Sequence, residues 1–156
     1  MNLCCDVLAA LQGKTLVTAE SCTGGGIGAA LTAIPGSSDV YKGGIICYSN
    51  WVKEHVLGVP SEMLEQYGAV SAQVAEAMAR GARKYMESDI AVSVTGLAGP
   101  DGDTYGHNVG TVYIGCCTEE ICVVKEFLFS GDRSVVREQA IKEGLKLILT
   151  SQKRVE

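Results

Sequence analysis

The sequence lacks both long apolar runs and blocks of basic residues. Its longest uncharged stretch near the N-terminus, residues 21–38, is rich in glycine and contains Pro35, which argues against a membrane span. Thirteen basic against eighteen acidic residues give a net charge of −5, whereas an extended nucleic-acid surface needs a basic face. We therefore expect no membrane and no nucleic acid as partner. One or two local arginines would still suffice to bind the phosphate of a small substrate.

Signals for secretion and for metal binding are also missing. The N-terminus has no basic segment ahead of an apolar run, which predicts the absence of a signal peptide and a cytoplasmic location. The seven cysteines show no Cys-x-x-Cys spacing and include the adjacent pairs Cys4-Cys5 and Cys116-Cys117. We therefore expect no metal site and no disulfide framework, with every cysteine except Cys22 acting as a small hydrophobic residue in a reducing compartment.

Helical and strand patterns alternate along the 156 residues, a length that suits one domain. This order predicts a three-layer α/β/α sandwich with a mixed sheet, formed by residues 1–156 as a single domain whose tail after 151 is frayed. The predicted strands are 15–19, 44–48, 90–95, 110–116 and 121–129, and the predicted helices are 3–11, 26–33, 50–57, a turn from 61, a helix after Ser71 and 134–150.

The first candidate ligand loop is residues 18–28, where a strand becomes a helix through three consecutive glycines. An α/β sheet binds ligands at such a junction, where helix N–H groups are free. Ser21 and Thr23 supply hydroxyls there, and Gly24 and Gly25 allow close approach to the backbone. Alternatively, a hydroxyl only caps the helix. A dinucleotide fingerprint is incomplete, because no acidic residue ends the following strand.

Two further loops carry polar groups. Tyr48 and Lys53 share a second strand-to-helix junction. Lys53 would act as a base only if burial lowered its pKa, and otherwise it is a solvated charge on the helix. The glycine-rich segment 94–110 has a length typical of functional loops. Its acidic pair, Asp101 and Asp103, has the spacing of a turn rather than of a cation site.

Several motifs occur together in these loops. They are Thr-Ala-Glu-Ser-Cys-Thr-Gly-Gly at 18–25, Pro-Gly-Ser-Ser at 35–38, Tyr-Ser-Asn with lysine at 48–53, Val-Thr-Gly at 94–96, Ala-Gly-Pro at 98–100 and Gly-Asp-Arg at 131–133. This combination resembles the CinA C-terminal family, the nicotinamide-nucleotide amidohydrolases, in their stand-alone form without an additional N-terminal domain.

The resemblance implies hydrolysis of nicotinamide mononucleotide to nicotinate mononucleotide and ammonia, in NAD salvage, by a cytoplasmic homodimer without metal or cofactor. Ser21 would be the nucleophile, with Tyr48 and Lys53 in proton transfer, and N–H groups at the helix start would meet the developing oxyanion. Arg133 would contact the substrate phosphate. The remaining residues that the resemblance places at the substrate are Thr23, Gly24, Gly25, Asn50, Thr95 and Gly96.

At 104–108 the chain departs from the family pattern. It has Thr-Tyr-Gly-His-Asn where the family commonly has Thr-Pro-Glu-Lys-Pro, so we expect a less rigid loop. Two other functions stay open at this point. Cys22 could replace Ser21 as nucleophile, since a helix N-terminus lowers a thiol pKa, or the domain could bind a nucleotide without turnover.

Overall fold

A five-stranded mixed sheet forms the centre of the computed structural model, which describes residues 2–155. The strands lie in the order β2-β1-β3-β4-β5, with β1 parallel to both β2 and β3, while β4 is antiparallel to β3 and β5. The strands are β1 Leu16–Glu20, β2 Tyr41–Ile46, β3 Ile90–Gly96, β4 Thr111–Cys117 and β5 Cys122–Leu128.

Helices cover both faces of this sheet and complete the three layers. They are α1 Leu3–Ala10, α2 Gly26–Thr32, α3 Asn50–His55, α4 Ser61–Tyr67, α5 Ala72–Tyr85 and α6 Arg133–Val155, with a short 3₁₀ helix at Ser37–Asp39. Side chains alternate along β1, so Leu16 packs with α1, α2 and α6 while Val17 packs with α5 on the other face. The predicted fold class is confirmed.

Local signals explain the best-predicted element, α5. Ser71 caps it by accepting a hydrogen bond from Val74 N at 3.3 Å, and Val74, Met78 and Ala82 form its buried face. Within residues 2–155, no helix is both long enough and apolar enough to cross a membrane.

Two predictions from the sequence are wrong in the structure. Helix α6 continues to Val155 instead of ending at Thr150, because Ser151 and Gln152 are buried and Lys14 Nζ donates a hydrogen bond to Gln152 Oε1 at 3.3 Å. Fraying of the tail after 151 stays a prediction. Cys117 and Cys122 form a disulfide, since the β4–β5 turn places them opposite each other across the hairpin. Spacing along the chain did not indicate this pairing, although the short connection between the predicted strands 110–116 and 121–129 is consistent with a hairpin that brings the two cysteines together.

Candidate active site

A cavity of about 470 Å³ lies at the ends of β1 and β3, beside the β2–α3 connection. Ser21 follows directly after β1 and lines this cavity. Its backbone N donates a hydrogen bond to Val94 O at 2.9 Å, which ties the residue to the neighbouring strand β3. Ser21 is therefore held at the sheet edge where parallel strands of α/β proteins present ligand-binding residues.

Lys53 is buried beside Ser21 and is only 1% exposed. Helix α3, capped by Ser49 Oγ on Val52 N, points it inward. Its Nζ lies 3.1 Å from Ser21 Oγ and donates to Cys47 O at 2.8 Å. In the chain from 2 to 155, no carboxylate forms an ion pair with it. Burial lowers the Lys53 pKa, and the nearby Cys47 and Cys22 thiols oppose this only in part.

Beneath the loop, Glu20 organises the start of helix α2. Glu20 Oε1 accepts hydrogen bonds from Thr23 Oγ1 at 2.7 Å and from Ile27 N at 2.8 Å, and Oε2 accepts one from Gly28 N at 3.1 Å. The N–H groups of Ile27 and Gly28 are therefore engaged within the fold, not free to meet an oxyanion as the sequence suggested. Glu20 was not among the residues predicted from the sequence, although an acidic residue between a strand and a helix start is a capping signal.

Three predicted substrate contacts shape the loop from outside the cavity. Thr23 is fully buried and its hydroxyl is bonded to Glu20. Gly24 and Gly25 have φ values of +58° and +97°, a left-handed backbone that favours glycine. Arg137 holds the same loop by donating to Cys22 O at 3.0 Å and to Thr23 O at 3.2 Å.

Tyr48 and Arg133 meet at the rim of the cavity. The Tyr48 side chain is 63% exposed, and its hydroxyl accepts a hydrogen bond from Arg133 Nη2 at 3.1 Å. Arg133 Nη1 donates to Gly99 O at 2.7 Å, so the guanidinium spans two walls. Lys53 Nζ contacts Tyr48 only at its backbone carbonyl, at 3.5 Å, and not at its hydroxyl. The structure thus brings Lys53 to Ser21 and brings Tyr48 to Arg133.

The remaining predicted contacts, Asn50, Thr95 and Gly96, line the cavity. Asn50 is exposed at the start of α3. The Thr95 hydroxyl donates to Ala69 O at 2.8 Å, so it connects β3 to the wall formed after α4. Gly96 packs against Val112, which leaves no room for a side chain, since an added Cβ would lie 2.6 Å from Val112 Cγ2. The two β3 residues therefore shape the cavity floor.

Loop 97–110 has its own constraints in place of the missing prolines. Asp103 Oδ2 lies 2.7 Å from His107 Nδ1, and Asp103 Oδ1 accepts from the backbone N of Tyr105 and of His107, both at 3.1 Å. The Tyr105 hydroxyl donates to Glu65 O at 2.7 Å and fastens the loop to α4. These bonds connect the segment to itself and to α4, and the expectation of a less rigid loop stays a prediction.

Cys22 also lines the cavity, but its thiol is not activated. Burial raises the Cys22 pKa to about 11, and the opposing influences of its own backbone N–H, Arg137 and Lys53 are smaller. At neutral pH the group is therefore a protonated thiol, the weakly nucleophilic form. This observation disfavours Cys22 and favours Ser21 as the nucleophile.

Comparison with known proteins identifies the family. The sequence profile of the CinA C-terminal domain matches residues 3–151. The chain belongs to the CinA C-terminal domain family. It is similar to a CinA-like protein from Synechococcus sp. strain CC9311, with 58% identity over 110 residues that cover 70% of this chain and 26% of the relative.

A second CinA-like protein, from Parasynechococcus marenigrum strain WH8102, is 52% identical over 134 residues, covering 85% of this chain and 32% of the relative. The chain thus spans a third or less of these curated relatives. Solved structures agree with the fold. The CinA superfamily protein from Enterobacter cloacae superposes with a TM-score of 0.93 at 35% identity, covering 96% of this chain and 90% of that chain.

Proposed function

We propose that this domain hydrolyses the carboxamide of nicotinamide mononucleotide, giving nicotinate mononucleotide and ammonia. The observation that carries the proposal is the contact of 3.1 Å between Ser21 Oγ and the buried Lys53 Nζ. A serine next to an amine of lowered pKa is an activated nucleophile for acyl transfer. The choice of this nucleotide as substrate rests on the resemblance of the loop motifs to the amidohydrolases of the family.

The proposed reaction begins with Lys53 in its neutral form. Its lone pair takes the proton of Ser21 directly, while its N–H groups donate to Cys47 O, and Ser21 Oγ attacks the carboxamide carbon. Lys53 then gives the proton to the amide nitrogen, which leaves as ammonia. Water hydrolyses the resulting ester, releasing the carboxylate product and restoring the Ser21 hydroxyl.

A donor for the oxyanion is the N–H of Cys22, the residue after the nucleophile. Among residues 2–155 it donates no hydrogen bond to another residue, unlike the N–H groups of Ile27 and Gly28, which Glu20 occupies. A backbone N–H of this kind stabilises a tetrahedral oxyanion without reorganisation. We therefore assign the oxyanion contact to the loop that carries Ser21 rather than to helix α2.

Arg133 provides the phosphate contact in this proposal. Its planar guanidinium suits bidentate binding of a phosphate, and it already lies at the cavity rim. The substrate is thus a small nucleotide, and the steps above require neither a metal nor a cofactor. The same family resemblance supports a homodimer in the cytoplasm that acts in NAD salvage, and light scattering on the purified chain tests the dimer.

The deciding experiment measures ammonia released from nicotinamide mononucleotide by the wild type and by Ser21→Ala. We expect release by the wild type and a loss of roughly a thousandfold or more in Ser21→Ala, because the nucleophile is gone. Ser38→Ala, on an exposed serine outside the cavity, is the matched control. Substantial activity in a folded Ser21→Ala protein would remove the serine mechanism, and binding without any release by the wild type would favour a non-catalytic nucleotide-binding module.

A further inference from the structure

Tyr105 forms an aromatic wall of the cavity that the proposed reaction leaves unused. Its ring lines the cavity and is 46% exposed, although both ends of the residue are fixed. The backbone N donates to Asp103 Oδ1 at 3.1 Å and the hydroxyl donates to Glu65 O at 2.7 Å. One side of the ring packs on Gly68, where an added Cβ would lie 2.7 Å from it. The aromatic group is therefore pre-positioned before any ligand binds.

Charge is distributed unevenly around this wall. Asp101 stands on the same loop as Tyr105 and lines the cavity with it, and its carboxylate is exposed. The neighbouring Asp103 carboxylate is already engaged by His107 Nδ1 at 2.7 Å, whereas Arg133 lies at the rim beside Tyr48. One part of the cavity thus favours a cation and another part favours an anion. A ligand with a positive ring and a negative phosphate satisfies both parts.

We propose that Tyr105, assisted by Asp101, is a specificity-determining residue that recognises the positive charge of an N-substituted pyridinium ring. This inference rests on the proposed function, in which the nicotinamide ring carries that charge at its glycosidic nitrogen. The face of a tyrosine attracts a cation through its negative quadrupole. The neutral reduced ring, which has the same carboxamide and phosphate, lacks this attraction.

The test is equilibrium binding by calorimetry in the Ser21→Ala background, where the ligand is not consumed. The two ligands are nicotinamide mononucleotide and its reduced dihydropyridine form. We expect Tyr105→Leu to raise the Kd of the charged ligand roughly 3–10-fold and that of the neutral ligand by about twofold or less. Tyr105→Phe keeps the ring and should stay within about twofold of the parent for both. Tyr85→Leu, on an exposed tyrosine of α5 outside the cavity, is the control.

A second variant removes the charge without disturbing the loop. Asp101→Asn changes an exposed side chain, and we expect it to raise the Kd of the charged ligand about twofold to threefold and to leave that of the neutral ligand unchanged. If neither Tyr105→Leu nor Asp101→Asn separates the two ligands, or if the parent binds neither ligand, the inference is overturned. A parent that discriminates as expected, together with a wild type that releases no ammonia, would overturn the proposed function alone.

Discussion

At the scale of single residues, the unusual group is Lys53, which is buried and has no acidic partner within the part of the chain that the structure describes. Burial lowers the Lys53 pKa, and this lowers the free energy of unfolding, because the unfolded chain binds the lysine proton more tightly than the folded chain does. Folding stability should therefore rise as pH increases from the depressed pKa towards the ordinary value of about 10.4. A group kept at such a cost is typical of a catalytic base.

Replacing Lys53 by methionine should separate function from stability. We expect kcat/KM for ammonia release to fall roughly a thousandfold, since no base remains, while the free energy of unfolding at pH 7 stays equal or increases. In the wild type, kcat/KM should fall as pH drops through the depressed pKa. Lys53→Arg keeps the charge and cannot deprotonate, so near-normal turnover in that variant would contradict the role as base. Lys84→Met, at an exposed site on α5, is the control for loss of a lysine.

The rim residues give a second prediction, measured by steady-state kinetics. Arg133→Ala should raise KM roughly tenfold or more with a small change in kcat, because a charged hydrogen bond to the phosphate is lost. Tyr48→Phe should also act mainly on KM, since its hydroxyl contacts Arg133 Nη2. A large fall in kcat for Tyr48→Phe would instead restore Tyr48 to the proton-transfer role that the sequence suggested.

At the scale of elements, the carboxylate at the end of β1 holds helix α2 in place. Glu20→Gln is nearly isosteric but places an amide N–H₂ group among three donors. We expect the free energy of unfolding to fall by about 1–3 kcal/mol in urea titrations. The matched control is Glu62→Gln, an exposed residue in the first turn of α4. If the two variants were equally stable, the carboxylate would not be the cap.

Elements with strong local signals could be predicted from the sequence, whereas contacts across the fold could not. Helix α5 has a serine cap and a clear apolar face, so its start was predicted correctly. The end of α6 depends on the burial of Ser151 against the rest of the fold, which no local pattern reveals. Spacing identified Ser21 and Lys53 as separate candidates, and only the resemblance linked them. Their contact spans 32 positions and requires the pairing of β1 with β2.

At the scale of the whole molecule, the disulfide and the candidate active site lie at opposite ends of the sheet. Cys117 pairs with Ala91 near the start of β3, whereas Gly96 at its far end lines the cavity. Reduction, or the double change Cys117→Ser and Cys122→Ser, should lower the free energy of unfolding by roughly 2 kcal/mol. Ammonia release below the unfolding transition should stay within about twofold. Cys5→Ser, on an exposed free thiol, is the control, and loss of activity on reduction would contradict this separation.

The cavity is assembled from four parts of the chain that are distant in sequence, so it forms only as the fold is completed. Ser21, Lys53, Thr95 and Arg133 meet only after three parallel strands have aligned and the last helix has docked. Pairing of parallel strands closes long loops, and the entropy of loop closure is lost before the strand contacts form. Such pairing is therefore a slow part of folding. A chain in which these strands have not paired therefore lacks the contact between Ser21 Oγ and Lys53 Nζ. The proposed ammonia release should accordingly appear during refolding only when this topology is complete.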